Sequence, residues 1–163
     1  MALDPSKYFI IVPNMLGNGR SSSPSNTPAP HGGARFPNVT FYDQVEQQHR
    51  LVTEHFGIET LALVTGWSMG AGQTYQWAVS YPGMVQRALP FCGSSRTAEH
   101  NIVFLEAVKY AIMTDAAWQD GMYASQPVKG LRAVGRVYAG WGFSQAFYWW
   151  TFAVSGGVGE RVE

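Results

Sequence analysis

Cysteine is almost missing from this chain: its 163 residues include one, Cys92. One thiol makes no internal disulfide, which fits a reducing compartment. Charge is scarce as well. Asp, Glu, Lys and Arg make up 13% of the residues and balance to a formal net charge of zero. Nothing in that balance would capture nucleic acid or an anionic membrane. No apolar run approaches the roughly 20 residues of a membrane span. The opening Met1-Ala2-Leu3-Asp4-Pro5-Ser6-Lys7 has neither the basic start nor the apolar centre of a signal peptide. Internal repeats are missing, and so are His, Cys and acidic residues at metal-ligand spacing. These absences leave a soluble cytoplasmic protein as the expectation, with no nucleic-acid, membrane or metal partner.

What is present is a core and one motif. Hydrophobic residues make up 46% of the chain, enough for one globular domain of ordinary size. The apolar run Leu61-Ala62-Leu63-Val64-Thr65 leads into Gly66-Trp67-Ser68-Met69-Gly70, and a small-residue helical segment follows from Met69 to about Ser80. Gly-x-Ser-x-Gly between a strand and a helix is the pattern of a nucleophile elbow. A serine there takes a strained backbone that lifts its hydroxyl clear of the sheet, at a cost of about 1–3 kcal/mol. Side chains two residues before and after would crowd so tight a turn, hence Gly66 and Gly70. The helix N-terminus then aims free N–H groups at the site, Met69's among them as an oxyanion donor.

Upstream, Tyr8-Phe9-Ile10-Ile11-Val12-Pro13 reads as a buried strand of a parallel sheet. The Gly-, Ser- and Pro-rich stretch from Gly17 to Pro37 is an irregular loop, long enough to suggest a functional role. Its Gly17-x-Gly19 lacks the third glycine and the immediate helix of a dinucleotide fingerprint. Residues Asp43 to Phe56 have helical spacing, with Asp43 as the candidate cap and Gly57 as the stop. Arg87 to Gly93 is a third strand candidate, weakened by Pro90. This alternation of strands and helices predicts a doubly wound α/β sheet. Beyond Ser95 the pattern turns helical, with segments over Asn101–Thr114 and Leu131–Tyr138 and an aromatic-rich stretch over 138–154. That half reads as a helical cap.

A serine nucleophile needs a base and an acid, which in α/β-hydrolases follow in the order Ser, Asp or Glu, His. Past Ser68 the only histidine, His100, precedes Asp115 and Asp120, so the order is wrong and His100 reads as a helix-start residue. His49 and His55 fall on a predicted helix in structural roles, and His31 lies alone in the polar loop. Cys92 reads as a small buried hydrophobe. The Asn38-Val39-Thr40 sequon has no sign of secretion beside it. One member of a triad is in view and two are not.

The chain resembles the homoserine O-acetyltransferase-like branch of the α/β-hydrolase superfamily. The resemblance rests on Tyr8 to Gly19 with Ser21-Ser22-Ser23-Pro24-Ser25, and on Gly66 to Gly70 with Gln73-Thr74-Tyr75-Gln76-Trp77-Ala78. Tyr81-Pro82, Phe91-Cys92-Gly93-Ser94 and Gly140 to Gln145 also fit. It implies a partial α/β-hydrolase fold, a mostly parallel sheet flanked by helices, over residues 1–98, a helical cap over 99–148 and an atypical tail over 149–163. It further implies that Ser68 is acylated from acetyl-CoA, with no bound cofactor, and passes the acyl group to a hydroxyl such as that of homoserine. Ester hydrolysis, or a catalytically inert fragment, is the alternative. The resemblance allows a homodimer of a full-length parent, of which this chain reads as a central fragment.

Overall fold

The first long element starts at Thr40. The computed structural model describes residues 3–17 and 19–154, and in it α1 runs over Phe41–Arg50 behind a capping box. The Thr40 hydroxyl accepts the Asp43 N–H at 3.3 Å, and an Asp43 carboxylate oxygen accepts the Thr40 N–H at 2.8 Å. The helix expected from Asp43 therefore begins two residues earlier, and Thr40 is its cap. A cap must keep an extended backbone, and Thr40 does at φ −96° and ψ 172°. After Arg50 the chain makes a π-helical turn over Leu51–His55. Gly57, at φ +63°, supplies the left-handed residue that ends it.

The chain divides into two units, Met1–Thr97 and Ala98–Glu163. The first holds the sheet. Strand β1 (Val64–Trp67) leads into α2 (Met69–Ser80), and β2 (Ala88–Phe91) returns parallel to β1 with Val64 opposite Ala88 and Trp67 opposite Phe91. An isolated bridge from Leu61 to Val85 extends the pairing backwards. Pro90 fits in β2 because the cross-strand bonds use Arg87 and Phe91, a phase that turns the missing N–H of Pro90 away from β1. Helix α2 packs on both strands and on α1. The core beneath is Val45, Val52, Trp77 and Met84, joined by Ile11, Ile58, Leu61, Val64, Tyr81 and Val85.

The strand expected at Tyr8 to Pro13 is not one. No ladder bond joins it to β1 or β2, the paired strands among the described residues. Phe9 is 70% exposed and Val12 83%. An apolar run reports a preference for burial, whereas a strand also needs a hydrogen-bonded neighbour. Ile11 does reach the core, and Phe9 packs edge-on against Phe56 at 5.3 Å. The loop that follows is tied to itself. Gly17 N–H donates to Ser22 O at 2.8 Å, Gly33 N–H to Pro24 O at 2.7 Å, and the Asn26 amide bridges Ser21 and Ser23.

In the second unit α3 (Glu99–Met113) packs on α4 (Val128–Gly142). Phe104 is buried, with the Trp141 ring at 4.5 Å and the Tyr138 ring at 5.4 Å. Asp115 closes the turn between the helices. Its carboxylate accepts the Gly130 N–H at 2.8 Å and the Ala117 N–H at 3.0 Å, and those bonds hold it below the ordinary carboxylate value. A carboxylate at the start of α4 also suits the helix dipole. Gly130 is required there, since a Cβ would sit 2.8 Å from the Ile112 carbonyl oxygen. Helix α5 (Gln145–Val154) takes up the first residues of the expected tail, and residues 155–163 lie outside the described residues. Among the described residues no helix is long and apolar enough to cross a membrane.

Candidate active site

Ser68 is the single residue between β1 and α2, at φ 55° and ψ −112°. That backbone is unfavourable for any residue with a Cβ and costs about 1–3 kcal/mol. Local bonds hold it in place. The Ser68 N–H donates to Phe91 O at 3.0 Å, and the Ser68 carbonyl accepts the N–H groups of Ala71 at 2.9 Å and Gly72 at 3.3 Å. Ser68 thus ends the β1–β2 ladder and starts α2 in one step. Its hydroxyl makes no capping bond, and the residue is exposed. The next N–H, that of Met69, meets no acceptor among the described residues. A hydroxyl on a strained turn beside a free N–H at a helix N-terminus can attack a carbonyl carbon and receive the oxyanion.

The two motif glycines differ. A Cβ on Gly66 would run into the backbone of Gly70, whereas a Cβ on Gly70 would meet nothing within 4 Å. Only the first is demanded by the turn. Gly93, at the far side, is equally constrained: a Cβ would lie 2.6 Å from the Ala71 Cβ and 2.8 Å from the Ser68 carbonyl oxygen. Between Gly93 and β2 stands Cys92, exposed and at φ 53°. The expectation that it is buried fails because Cys92 follows a strand that is itself largely uncovered, with Leu89 55% and Phe91 46% exposed.

Five side chains, those of Met15, Gln44, Gln48, Gln73 and Trp77, tie α2 and the loop at Met15 to α1, a set of bonds that the sequence reading did not single out. Gln73, buried on α2, accepts from the Gln48 amide of α1 and donates to the Met15 sulfur. Gln48 in turn accepts the Trp77 indole N–H at 2.8 Å. Gln44, buried one turn earlier on α1, grips the main chain of Leu16, accepting its N–H at 2.8 Å and donating to its carbonyl at 2.9 Å. The loop at Met15–Gly17 is thereby fixed against α1 and α2. Its signal in the sequence is three glutamines on otherwise apolar helix faces.

The histidines of the first unit do not gather at Ser68. His49 stacks on Tyr81 with ring centroids 3.8 Å apart, His55 lies edge-on to Phe56, and His100 belongs to α3, where its ring contacts Trp141. His31 lies exposed in the loop. No histidine or carboxylate among the described residues hydrogen-bonds the Ser68 hydroxyl.

Comparison with known proteins places this geometry in a class. A family model described as alpha/beta hydrolase fold matches residues 1–155, and the chain belongs to that family. It is 50% identical over 149 residues to an ethyl acetate hydrolase of Pseudomonas veronii, covering 90% of this chain and 43% of that protein. It is 42% identical over 144 residues to a homoserine O-acetyltransferase of Rhodospirillum rubrum, covering 84% of this chain and 36% of that protein. Among solved structures, the acetyl esterase MekB superposes with a TM-score of 0.90 at 47% identity, covering 98% of this chain and 47% of that one. The chain thus spans less than half the length of these relatives. The resemblance to homoserine O-acetyltransferases stands, beside a higher identity to esterases.

Proposed function

We propose that this chain carries the nucleophile of a serine esterase acting on simple esters, and that Ser68 is that nucleophile. The observation that carries the reading is Ser68's backbone, φ 55° and ψ −112° between β1 and α2, with the Met69 N–H beside it meeting no acceptor among the described residues. Ser68 Oγ attacks the ester carbonyl, and the oxyanion forms against the Met69 N–H. The C–O bond to the alcohol then breaks, and the alcohol leaves with the proton that Ser68 gave up. Water attacks the acyl-serine, releasing the carboxylic acid and restoring the hydroxyl. The proposal assigns this chain the nucleophile and one oxyanion donor, and assigns it no base. Identity to an ethyl acetate hydrolase and an acetyl esterase supports the substrate class.

A second reading keeps the same acyl-serine and changes the acceptor. Acetyl-CoA acylates Ser68, and a hydroxyl such as that of homoserine takes the acetyl group in place of water. The 42% identity to a homoserine O-acetyltransferase favours it. One experiment separates the two. The chain is mixed with p-nitrophenyl acetate, with and without homoserine, and p-nitrophenolate release is followed. A burst lost in Ser68→Ala is the expected result, and a trace identical in both proteins would sink the assignment of Ser68. Faster release with homoserine, and an O-acetylated product, marks the transferase; no response to homoserine marks the hydrolase.

A further inference from the structure

A strained serine keeps its backbone only while the turn around it is held in place. The Ser68 carbonyl accepts the N–H groups of Ala71 and Gly72, and the segment Gly70-Ala71-Gly72 has only the Ala71 methyl group for a side chain. The next two residues are polar and buried, Gln73 at 7% exposure and Thr74 at 1%. The Thr74 hydroxyl donates to the Gly70 carbonyl at 2.9 Å and stays within its own turn. Gln73 reaches out of the helix through both halves of its amide. Its oxygen accepts from the Gln48 amide on α1, and its nitrogen donates to the Met15 sulfur. Gln48 also accepts the Trp77 indole N–H at 2.8 Å, so α1 holds α2 at Gln73 and again at Trp77. Apolar contact is non-directional and tolerates a small slide or rotation of a helix. A hydrogen bond does not, because it weakens steeply as its angle closes.

We propose that Gln73 is a positioning residue for Ser68: its paired bonds to Gln48 and Met15 fix where the first turn of α2 lies, and with it the backbone of the serine. Gln73 acts through Ala71 and Gly72, whose N–H groups grip the Ser68 carbonyl. The reactivity of the hydroxyl then depends on a side chain more than a helical turn away, since acylation responds to displacements of about 1 Å. That consequence for reactivity rests on the proposed role of Ser68, whereas the turn itself is measurable without it.

Gln73→Leu keeps a side chain of similar size and removes both bonds. Val45→Ala, a core substitution on α1, is the comparison that lowers stability and leaves the amides alone. Hydrogen exchange at the Ala71 and Gly72 amides reads the turn directly, with no ester present. In Gln73→Leu these two amides exchange faster than the change in global stability explains, and in Val45→Ala they do not. The burst with p-nitrophenyl acetate is the second readout. Gln73→Leu lowers its rate constant about tenfold while the half-saturating ester concentration stays close to wild type, the mark of a displaced nucleophile rather than a lost binding contact. Gln48→Leu removes the α1 side of the same bonds, leaves the sequence of α2 intact and gives the same two effects, so it carries the test where Gln73→Leu does not fold. Exchange at Ala71 and Gly72 that only follows global stability in the glutamine variants overturns the inference. So does a Ser68-dependent burst slowed no more than in Val45→Ala. Where the wild-type burst does not depend on Ser68, the nucleophile assignment fails, and the exchange rates alone decide whether Gln73 holds the turn.

Discussion

The Ser68 N–H donates to the Phe91 carbonyl oxygen at 3.0 Å, so the strained residue of the elbow is also the last rung of the β1–β2 ladder. Two residues past Phe91, Gly93 lies against the Ser68 carbonyl, where a Cβ would approach to 2.8 Å. Strand β2 therefore supports the turn from both sides of Cys92. Gly93→Ala forces backbone apart at that point, and overpacking of this kind costs about 1–3 kcal/mol. Urea unfolding should show the loss. A Gly93→Ala midpoint equal to wild type would mean that β2 does not brace the elbow.

The two glycines of Gly-x-Ser-x-Gly make a matched pair of tests. Gly66→Ala drives a methyl group into the Gly70 backbone, which has no flexible side chain to give way. Destabilisation of about 1–3 kcal/mol is expected, together with loss of any Ser68 reactivity. Gly70→Ala puts a methyl group into open space on a helix, where alanine is favoured over glycine by about 1 kcal/mol. Thermal melts of the two variants should move in opposite directions. Equal losses would show that the motif constrains both positions alike.

Gln44 provides a test of the loop at Met15–Gly17. Its side chain satisfies both main-chain groups of Leu16 from 28 residues away. Gln44→Leu keeps the size and removes both bonds, leaving partly buried peptide groups without partners at a cost of about 1–3 kcal/mol. Hydrogen exchange at the Leu16 amide should accelerate by more than the change in global stability explains. Unchanged protection at Leu16 would rule the clamp out.

Legibility in the sequence follows the range of the interaction. The elbow is written in five adjacent residues, because a turn that tight limits the backbone at Gly66 and Ser68 directly. Helices α2, α3 and α4 are legible for a similar reason, their periodicity being local. Tyr8 to Pro13 misleads because hydrophobicity encodes a wish for burial and is silent about a partner strand. Thr40 is hidden behind Asp43 because both are good capping residues, and only backbone angles choose between them. The clamps at Gln44 and Gln73 show in the sequence only as polar residues on apolar helix faces, and their partners cannot be read from it, since Leu16 and Met15 lie 28 and 58 residues away. Gly93 is missed for the same reason.

Tyr81 gives the structure a pH signature. Its hydroxyl donates to the Glu46 carboxylate at 2.7 Å. That bond first, and burial second, push the phenol from its ordinary 10.0 up to about 12. A group whose folded value is raised holds its proton more tightly in the folded state. Its stabilisation is therefore complete below pH 10.0 and is lost as pH rises towards about 12. Tyrosinate absorbance should show one phenol titrating late, and Glu46→Gln should return it towards the ordinary value. Tyr81→Phe keeps the ring stacked on His49, removes the bond at a cost of about 1 kcal/mol, and flattens the alkaline fall in stability. If Tyr81→Phe and wild type lose stability in parallel between pH 10.0 and about 12, the bond to Glu46 is not what holds the proton.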